Sequence, residues 1–213
     1  MQIKSLVLGE YGTNCYIVSG GHDGSCLLID PADNGPILLT ALEQLALTPV
    51  AVLLTHGHYD HILAVPALQD RWSQLPVYCH PLDCPKALVE HDMGRSFPTV
   101  SSFSHLLPLS DGQQLCLGGF SVSVLHTPGH TPGSCTLQVE DALFTGDTLF
   151  REDIGRTDFE GGNMAHMNRS LARLAALPGD YRVFPGHEEA STLDHERRHN
   201  PMLIAAQASS HLP

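Results

Sequence analysis

The stretch His56-Gly57-His58-Tyr59-Asp60-His61 decides how this chain is read, because it packs three imidazoles and a carboxylate into six residues. It follows an apolar run, Val50-Ala51-Val52-Leu53-Leu54, and precedes a segment that reads as helix from Ile62. Strand, ligand-dense loop and helix is how a rigid scaffold presents a reactive centre. Imidazole and carboxylate are the usual ligands of first-row metals outside thiolate sites. His56 and His58, with Gly57 between them, can turn toward one ion, while Asp60 and His61 can point to a second. A solvated polar loop explains one histidine, not this spacing.

Working outward, three more candidates stand in the same relation to a strand. His130 follows the run ending near His126, across Thr127-Pro128-Gly129; Asp147 follows the run ending near Thr145, after Gly146; His187 follows the run ending at Phe184, after Pro185-Gly186. If the strands lie in packed sheets, these ends converge on one rim, and glycine lets backbone approach closely there. Five His and two Asp exceed what one tetrahedral zinc takes. Two metals sharing a bridging carboxylate suit them: His56, His58 and His130 on the first, Asp60, His61 and His187 on the second, Asp147 between.

The remaining pattern alternates strands and helices. Strands are expected at 3–8, 14–18, 25–29, 50–54, 77–79, 114–117, 120–126, 135–139, 142–145 and 181–184, the pair at 135–145 forming a hairpin across Glu140-Asp141. Helices are expected at 35–46, opened by Pro36, at 62–74, from Pro81 to His91, at 163–177 and finally at 191–200, with Pro201 after it. Residues 92–112 read as an exposed loop or lid, and 146–162 as glycine-rich and irregular. Many strands arrive in hairpins, so two mixed sheets packed together with helices outside accommodate the order.

Composition sets the limits. With 213 residues, 23.0 kDa and 42% hydrophobic content, one domain spanning 1–213 is expected. The net charge of −12, from 11 Lys+Arg against 23 Asp+Glu, argues against a nucleic-acid partner. Neither a secretory signal nor a membrane-spanning run is seen, so a soluble cytoplasmic protein without a membrane partner is expected. The 6 cysteines are scattered with no CxxC pair and read as reduced, mostly buried thiols. Fourteen histidines are an excess that asks for individual explanation.

The order HxHxDH (His56 to His61), His130, Asp147, His187 resembles the metallo-β-lactamase-fold hydrolases over nearly the whole chain. The resemblance implies an α+β fold, an αββα sandwich of two mixed sheets with helices on the outer faces and the site at one edge between them. Gly146-Asp147-Thr148-Leu149-Phe150, Gly155-Arg156-Thr157-Asp158-Phe159 and Glu196-Arg197-Arg198-His199-Asn200-Pro201 are similar to the hydroxyacylglutathione hydrolase (glyoxalase II) branch, in its short form lacking the further helical domain. It implies hydrolysis of a small-molecule thioester by a hydroxide activated between two divalent ions roughly 3.5–4 Å apart, zinc first, with iron or manganese as alternatives. Asp60 or Asp147 would orient the nucleophile. Arg156 is a candidate substrate contact, or else a structural partner of Asp158 or Asp153; Tyr59 reaches substrate or packs; Asp30 matches a carboxylate supporting the ligands. The chain is expected as a monomer or homodimer. The competing reading is a persulfide dioxygenase-like oxidoreductase, with one iron on His56, His130 and Asp147. Another hydrolase of the fold ranks lower: the lactonases have a tyrosine where Phe150 stands.

Overall fold

Strands buried on both faces need apolar side chains pointing both ways, and the runs at 15–18, 26–29 and 51–54 supply them. The computed structural model describes residues 1–22, 24–83, 91–92, 95–96 and 104–210. In order, β1 (Gln2–Leu8), β2 (Thr13–Ser19), β3 (Ser25–Ile29), α1 (Gly35–Gln44), β4 (Thr48–Leu53), a 3₁₀ turn at Tyr59–His61, α2 (Val65–Arg71) and β5 (Val77–Cys79) form the first half. There follow β6 (His91–Asp92), β7 (Arg95–Ser96), β8 (Leu106–Pro108), β9 (Gln114–Leu117), β10 (Phe120–His126), β11 (Cys135–Val139), β12 (Ala142–Gly146), α3 (Met164–Ala175), β13 (Arg182–Pro185), β14 (Ser191–Thr192), α4 (Leu193–His199) and α5 (Pro201–Ser210).

Two six-stranded mixed sheets result, ordered β1-β2-β3-β4-β5-β8 and β14-β13-β12-β11-β10-β9. Side-chain alternation sorts each strand between two cores. Leu27 and Ile29, with Ala51 and Leu53, face Val122, Val124, Leu137 and Phe144 of the second sheet. Their neighbours Cys26, Leu28, Val52 and Leu54 turn the other way, onto Leu38 and Leu42 of α1 and Val65 and Leu68 of α2. Leu143 and Val183 leave the second sheet on its far side and meet Leu171 and Leu174 of α3, Leu193 of α4 and Leu203 of α5. The expected αββα sandwich is thus observed as four layers around three cores.

Several expectations need correction. The helix read at 62–74 is shorter, Val65–Arg71, with Pro66 in its first turn, where a missing N–H costs nothing. Of the helix read from Pro81 to His91, residues 81–83 form a turn in which the Asp83 N–H donates to His80 O at 3.0 Å, and His91 begins a strand paired with β7; the rest lies outside the described residues. The loop expected at 92–112 contributes β8, whose parallel pairing with β5 extends the first sheet, its proline tolerated on an edge strand. Residues 93, 94 and 97–103 of that segment lie outside the described residues. Cys79 is disulfide-bonded, against the reading of uniformly reduced thiols, because scatter along the chain says nothing about spatial neighbours. Cys15, Cys26 and Cys135 are free and buried, and burial pushes their thiols up; Cys116 is free and exposed. Among the described residues no helix is long and apolar enough to cross a membrane.

The helix expected at 191–200 was also to be the last. Instead β14 and α4 occupy 191–199, and Pro201 opens a further helix rather than closing one. Asn200 makes the join. Its Oδ1 accepts the N–H groups of Met202 (3.0 Å) and Leu203 (3.2 Å), and its Nδ2 donates to Asp153 O and to Glu196 Oε2, both at 3.0 Å. Glu196, wholly buried, also accepts from Ser191 Oγ and the Glu152 N–H. Asn200→Ala takes the cap from the Met202 and Leu203 N–H groups and one donor from buried Glu196; chemical denaturation should show a loss of about 2–3 kcal/mol.

Candidate metal centre

The four segments that carry the candidates end at one place. His56 and His58 leave β4, Asp60 and His61 sit on the 3₁₀ turn, His130 follows β10, Asp147 follows β12 and His187 follows β13. Three groups of ligand-type atoms lie within 4.8 Å of one another: His56, His58 and His130; Asp60, His61 and His187; and Asp30, His56 and His61. Asp147 Oδ2 stands 3.4 Å from His130 Nε2 and 3.5 Å from His187 Nε2, and its Oδ1 is 3.5 Å from His61 Nε2. All seven residues read from the sequence are therefore brought together, with Asp147 reaching both triplets.

Hydrogen bonds on the far side of each ring decide which nitrogen faces inward. His130 Nδ1 meets the Arg156 carbonyl at 2.7 Å and His187 Nδ1 the Tyr11 carbonyl at 3.2 Å. A carbonyl only accepts, so each Nδ1 carries the proton and, in the neutral ring, Nε2 is bare. The Thr55 hydroxyl donates to Asp30 Oδ2 at 2.6 Å and so accepts from His56 Nδ1 at 3.1 Å, baring His56 Nε2 as well. His58 Nδ1 lies 3.1 Å from His56 Nε2 and 2.8 Å from His130 Nε2, and its single proton can serve one of them. The bare Nε2 atoms of His56 and His130 thus both face His58 Nδ1, which could join them as a ligand once it gives up that proton. In the other half, His61 Nε2 and Asp147 Oδ1 are buried without a hydrogen-bond partner among the described residues. An orphaned buried polar atom costs about 1–3 kcal/mol, and cations seated in the two triplets would satisfy every one of these atoms.

Charge separates the halves. Burial, reinforced by the neighbouring imidazoles His61, His58 and His130, drives His56 well below its ordinary pKa. Burial also lowers His130, outweighing the pull of Asp147. On the carboxylate side the balance reverses. Burial opposes a charge on His61, yet Asp60, Asp147 and Asp30 raise it to about 9; Asp147 and Asp60 likewise raise His187 to about 10. Burial opposes ionisation of Asp147, but His61, His187 and His130 hold it down to about 2, and His61, His187 and Thr13 hold Asp60 below the carboxylate range. Without cations, protons do their work in this half.

Close approach is a condition of the geometry. A Cβ on Gly186 would collide with Asp147 Oδ1 and lie 2.7 Å from His61 Cε1. The start of β2 holds that turn: the Asn14 N–H donates to Gly186 O (2.7 Å), Asn14 Nδ2 to Pro185 O (3.1 Å) and Glu188 O (2.9 Å), and Tyr16 Oη to Pro185 O (2.6 Å). Thr13 Oγ1 donates to Asp60 Oδ2 at 2.8 Å. Sequence reading missed Thr13, Asn14, Thr55 and Asp83: three stand apart from any ligand-rich stretch, and Thr55, which adjoins His56, is not itself a ligand type singled out there. Asp30, which it did single out, accepts from the Thr55 N–H (2.8 Å), Thr55 Oγ1 and His61 Nδ1 (3.0 Å).

The ligands floor a cavity of about 550 Å³ walled by Tyr11, Tyr59, Phe150, Ile154, Arg156 and Phe159. Tyr59 is 7% exposed and meets Tyr11 edge-on, so it packs while lining the wall. Arg156 forks onto Asp158 at 2.7 and 2.8 Å and stacks over Phe159 at 3.7 Å. The stretch His195-Glu196-Arg197-Arg198-His199 spells the HExxH pattern of zinc proteases on a helix, but the Glu196 carboxylate faces the interior and serves Asn200, Ser191 and Glu152 instead.

Comparison with known proteins agrees with this geometry. The family model described as the metallo-β-lactamase superfamily matches residues 8–187. A probable metallo-hydrolase of Bacillus subtilis is 34% identical, the match covering 95% of this chain and 98% of the relative. A hydroxyacylglutathione hydrolase of Xylella fastidiosa is 42% identical over 166 residues, 78% of this chain and 56% of that protein. Among solved structures, a B3 metallo-β-lactamase superposes with a TM-score of 0.82 at 37% identity (95% of this chain, 99% of the other) and a di-iron-bound protein with 0.81 at 39% (93% and 98%). ETHE1 from Myxococcus xanthus gives 0.76 at 30% (100% and 92%). The chain belongs to the metallo-β-lactamase superfamily and is a metallo-hydrolase of that fold.

Two outcomes are expected. His61 and His187 are raised above the unfolded value of about 6.5, so the stability they add to the metal-stripped chain is fully present below about pH 6.5 and lost as pH rises through about 9 and 10. Thermal melts of chelator-treated protein should fall across that window; a flat profile would contradict the charge assignment. Gly186→Ala should weaken metal retention at least about 10-fold, read by metal analysis after dialysis.

Proposed function

We propose that this chain hydrolyses a small-molecule thioester of the hydroxyacylglutathione type, with two divalent cations as cofactor. The observation that carries the reading is the meeting of two ligand triplets with Asp147 within reach of both. The likeness to the Xylella hydrolase supports the substrate class.

His56, His58 and His130 would hold one cation, Asp60, His61 and His187 the other, and Asp147 both. So bound, the pair supplies hydroxide at neutral pH and Lewis-acid stabilisation of a carbonyl oxygen. Zinc is the proposed ion, with iron or manganese as alternatives; a di-iron-bound neighbour keeps iron in view.

The chain's own groups do the rest. Asp60, steadied by Thr13, or Asp147 presents an ionised carboxylate to orient the nucleophile. Tyr11, Tyr59, Phe150 and Phe159 wall off water and pack the acyl or thiol arm. Arg156, held by Asp158 at the cavity wall, contacts the substrate through its guanidinium edge or the Phe159 face beneath it. Water adds across the C–S bond, giving carboxylic acid and thiol; a thiolate leaves without strong acid assistance. We further propose one domain over 1–213, a cytoplasmic monomer or homodimer, and no nucleic-acid or membrane partner, in keeping with the charge of −12.

A second reading, the persulfide dioxygenase-like oxidoreductase with one iron on His56, His130 and Asp147, is favoured by the likeness to ETHE1. Turnover of S-lactoylglutathione against simpler thioesters, with metal content measured on the same sample, separates the two when paired with oxygen uptake on glutathione persulfide. The hydrolase reading expects thioester turnover that drops at least about 100-fold in His58→Ala/Asp147→Ala; activity surviving that pair of changes refutes it.

A further inference from the structure

Two buried carboxylates stand behind the ligands. Asp30 serves Thr55 and His61. Asp83, 4% exposed in the turn after β5, hydrogen-bonds none of the candidate ligands among the described residues. Its Oδ2 accepts the Gly57 N–H at 3.0 Å and the Thr131 hydroxyl at 2.7 Å, and its Oδ1 accepts the Gly133 N–H at 2.7 Å. Gly57 separates His56 from His58, and Thr131 follows His130. One carboxylate therefore holds the backbone between His56 and His58 and, through the Thr131 hydroxyl and the Gly133 N–H, the loop that carries His130, bridging the loop after β4 to the loop after β10.

The surroundings are built to admit it. A Cβ on Gly133 would strike the Asp83 carboxylate, so glycine is the residue that leaves room. The Thr131 hydroxyl spends its proton on Asp83, so Ser134 Oγ donates to Thr131 Oγ1 at 2.7 Å while accepting the Thr131 N–H at 3.1 Å, and the Cys135 N–H donates to Thr55 O at 2.7 Å, closing the ring back to the residue before His56. Three buried hydrogen bonds converge here on one carboxyl group, and leaving such partners unmet is costly.

We propose that Asp83 is a positioning residue for the histidine triplet: it sets the metal affinity of His56, His58 and His130 through the two loops that carry them, while the Asp60, His61 and His187 triplet has no bond to Asp83 and takes its direct carboxylate support from Asp30. This rests on the two-cation reading above. Asp83→Asn sets an amide NH₂ against a donor and removes an acceptor from one side of the bridge. Loss of such a support typically costs about 10–100-fold in metal affinity.

The test is metal retention rather than turnover. Wild-type, Asp83→Asn, Thr131→Val and Thr131→Ser proteins, loaded with zinc and dialysed against graded chelator, are assayed for zinc per chain. Parallel cobalt-loaded samples report the three-histidine site by its absorption. Expected is a fall from two ions toward one in Asp83→Asn, about 10–100-fold weaker binding confined to the histidine triplet, and affinity within about 2-fold at the other. Thr131→Val should move the same way by less, and Thr131→Ser, which keeps the hydroxyl, should match wild type. If Asp83→Asn does not fold, the Thr131 pair decides. Wild-type affinity in Asp83→Asn, or equal weakening of both sites, overturns the proposal and leaves the two-cation reading standing. A wild-type chain that retains no zinc overturns both.

Discussion

The bond network around Asp30 is the constraint from which the centre is built. The residue closes β3 at a left-handed φ of 48°, a region aspartate tolerates better than most side chains, and this turns its carboxylate under the end of β4. There it takes the Thr55 N–H, the Thr55 hydroxyl and His61 Nδ1. A charge removed from water is tolerable only when so provided with donors. By meeting that need, the chain settles the orientation of His61 directly and of His56 through Thr55. Both triplets therefore take part of their geometry from one side chain that belongs to the first sheet alone.

What that sheet orients, the second completes. His130, Asp147 and His187 arrive on turns after β10, β12 and β13, each anchored by its own contacts: His130 to Arg156 O, His187 to Tyr11 O, the Gly186 turn to Asn14. The core between the sheets, with Phe144 against Tyr16 and Phe184, fixes the distance between the two rims. Close packing of this kind transmits small displacements instead of absorbing them. A ligand pair shared across the sandwich is therefore as rigid as the sandwich. The same arrangement segregates charge, with bare nitrogens beside His56 and carboxylates interleaved with protonated rings beside His61.

The strands and the ligands were legible because each has a local signature. Alternating or doubly apolar runs announced β2, β3, β4, β10 and β12, and glycine or Pro-Gly turns after them marked where His130, Asp147 and His187 would stand. Misreadings cluster where one residue type serves opposite ends. Pro201 was read as a stop and is a start, because Asn200 caps the helix beyond it. Arg156 is no misreading: pairing with Asp158 is one of its two expected roles, and its guanidinium forks onto that carboxylate at the cavity wall. Asp83 and Thr55 carry no motif at all, and only their bonds reveal them.

The amino-acid sequence by itself pointed to strands and helices packed as two mixed sheets and to seven side chains that could converge, since these follow from periodicity, turn chemistry and residue type along short stretches; the αββα layer order came with the family resemblance. The tertiary structure alone decided which nitrogen of each ring faces inward, which carboxylates support which triplet, and that Cys79 is bonded rather than free. Those are relations between atoms remote in sequence, such as the 26 residues between Gly57 and Asp83 or the 176 between His187 and Tyr11. Hydrogen-bond direction depends on distances that no local pattern encodes.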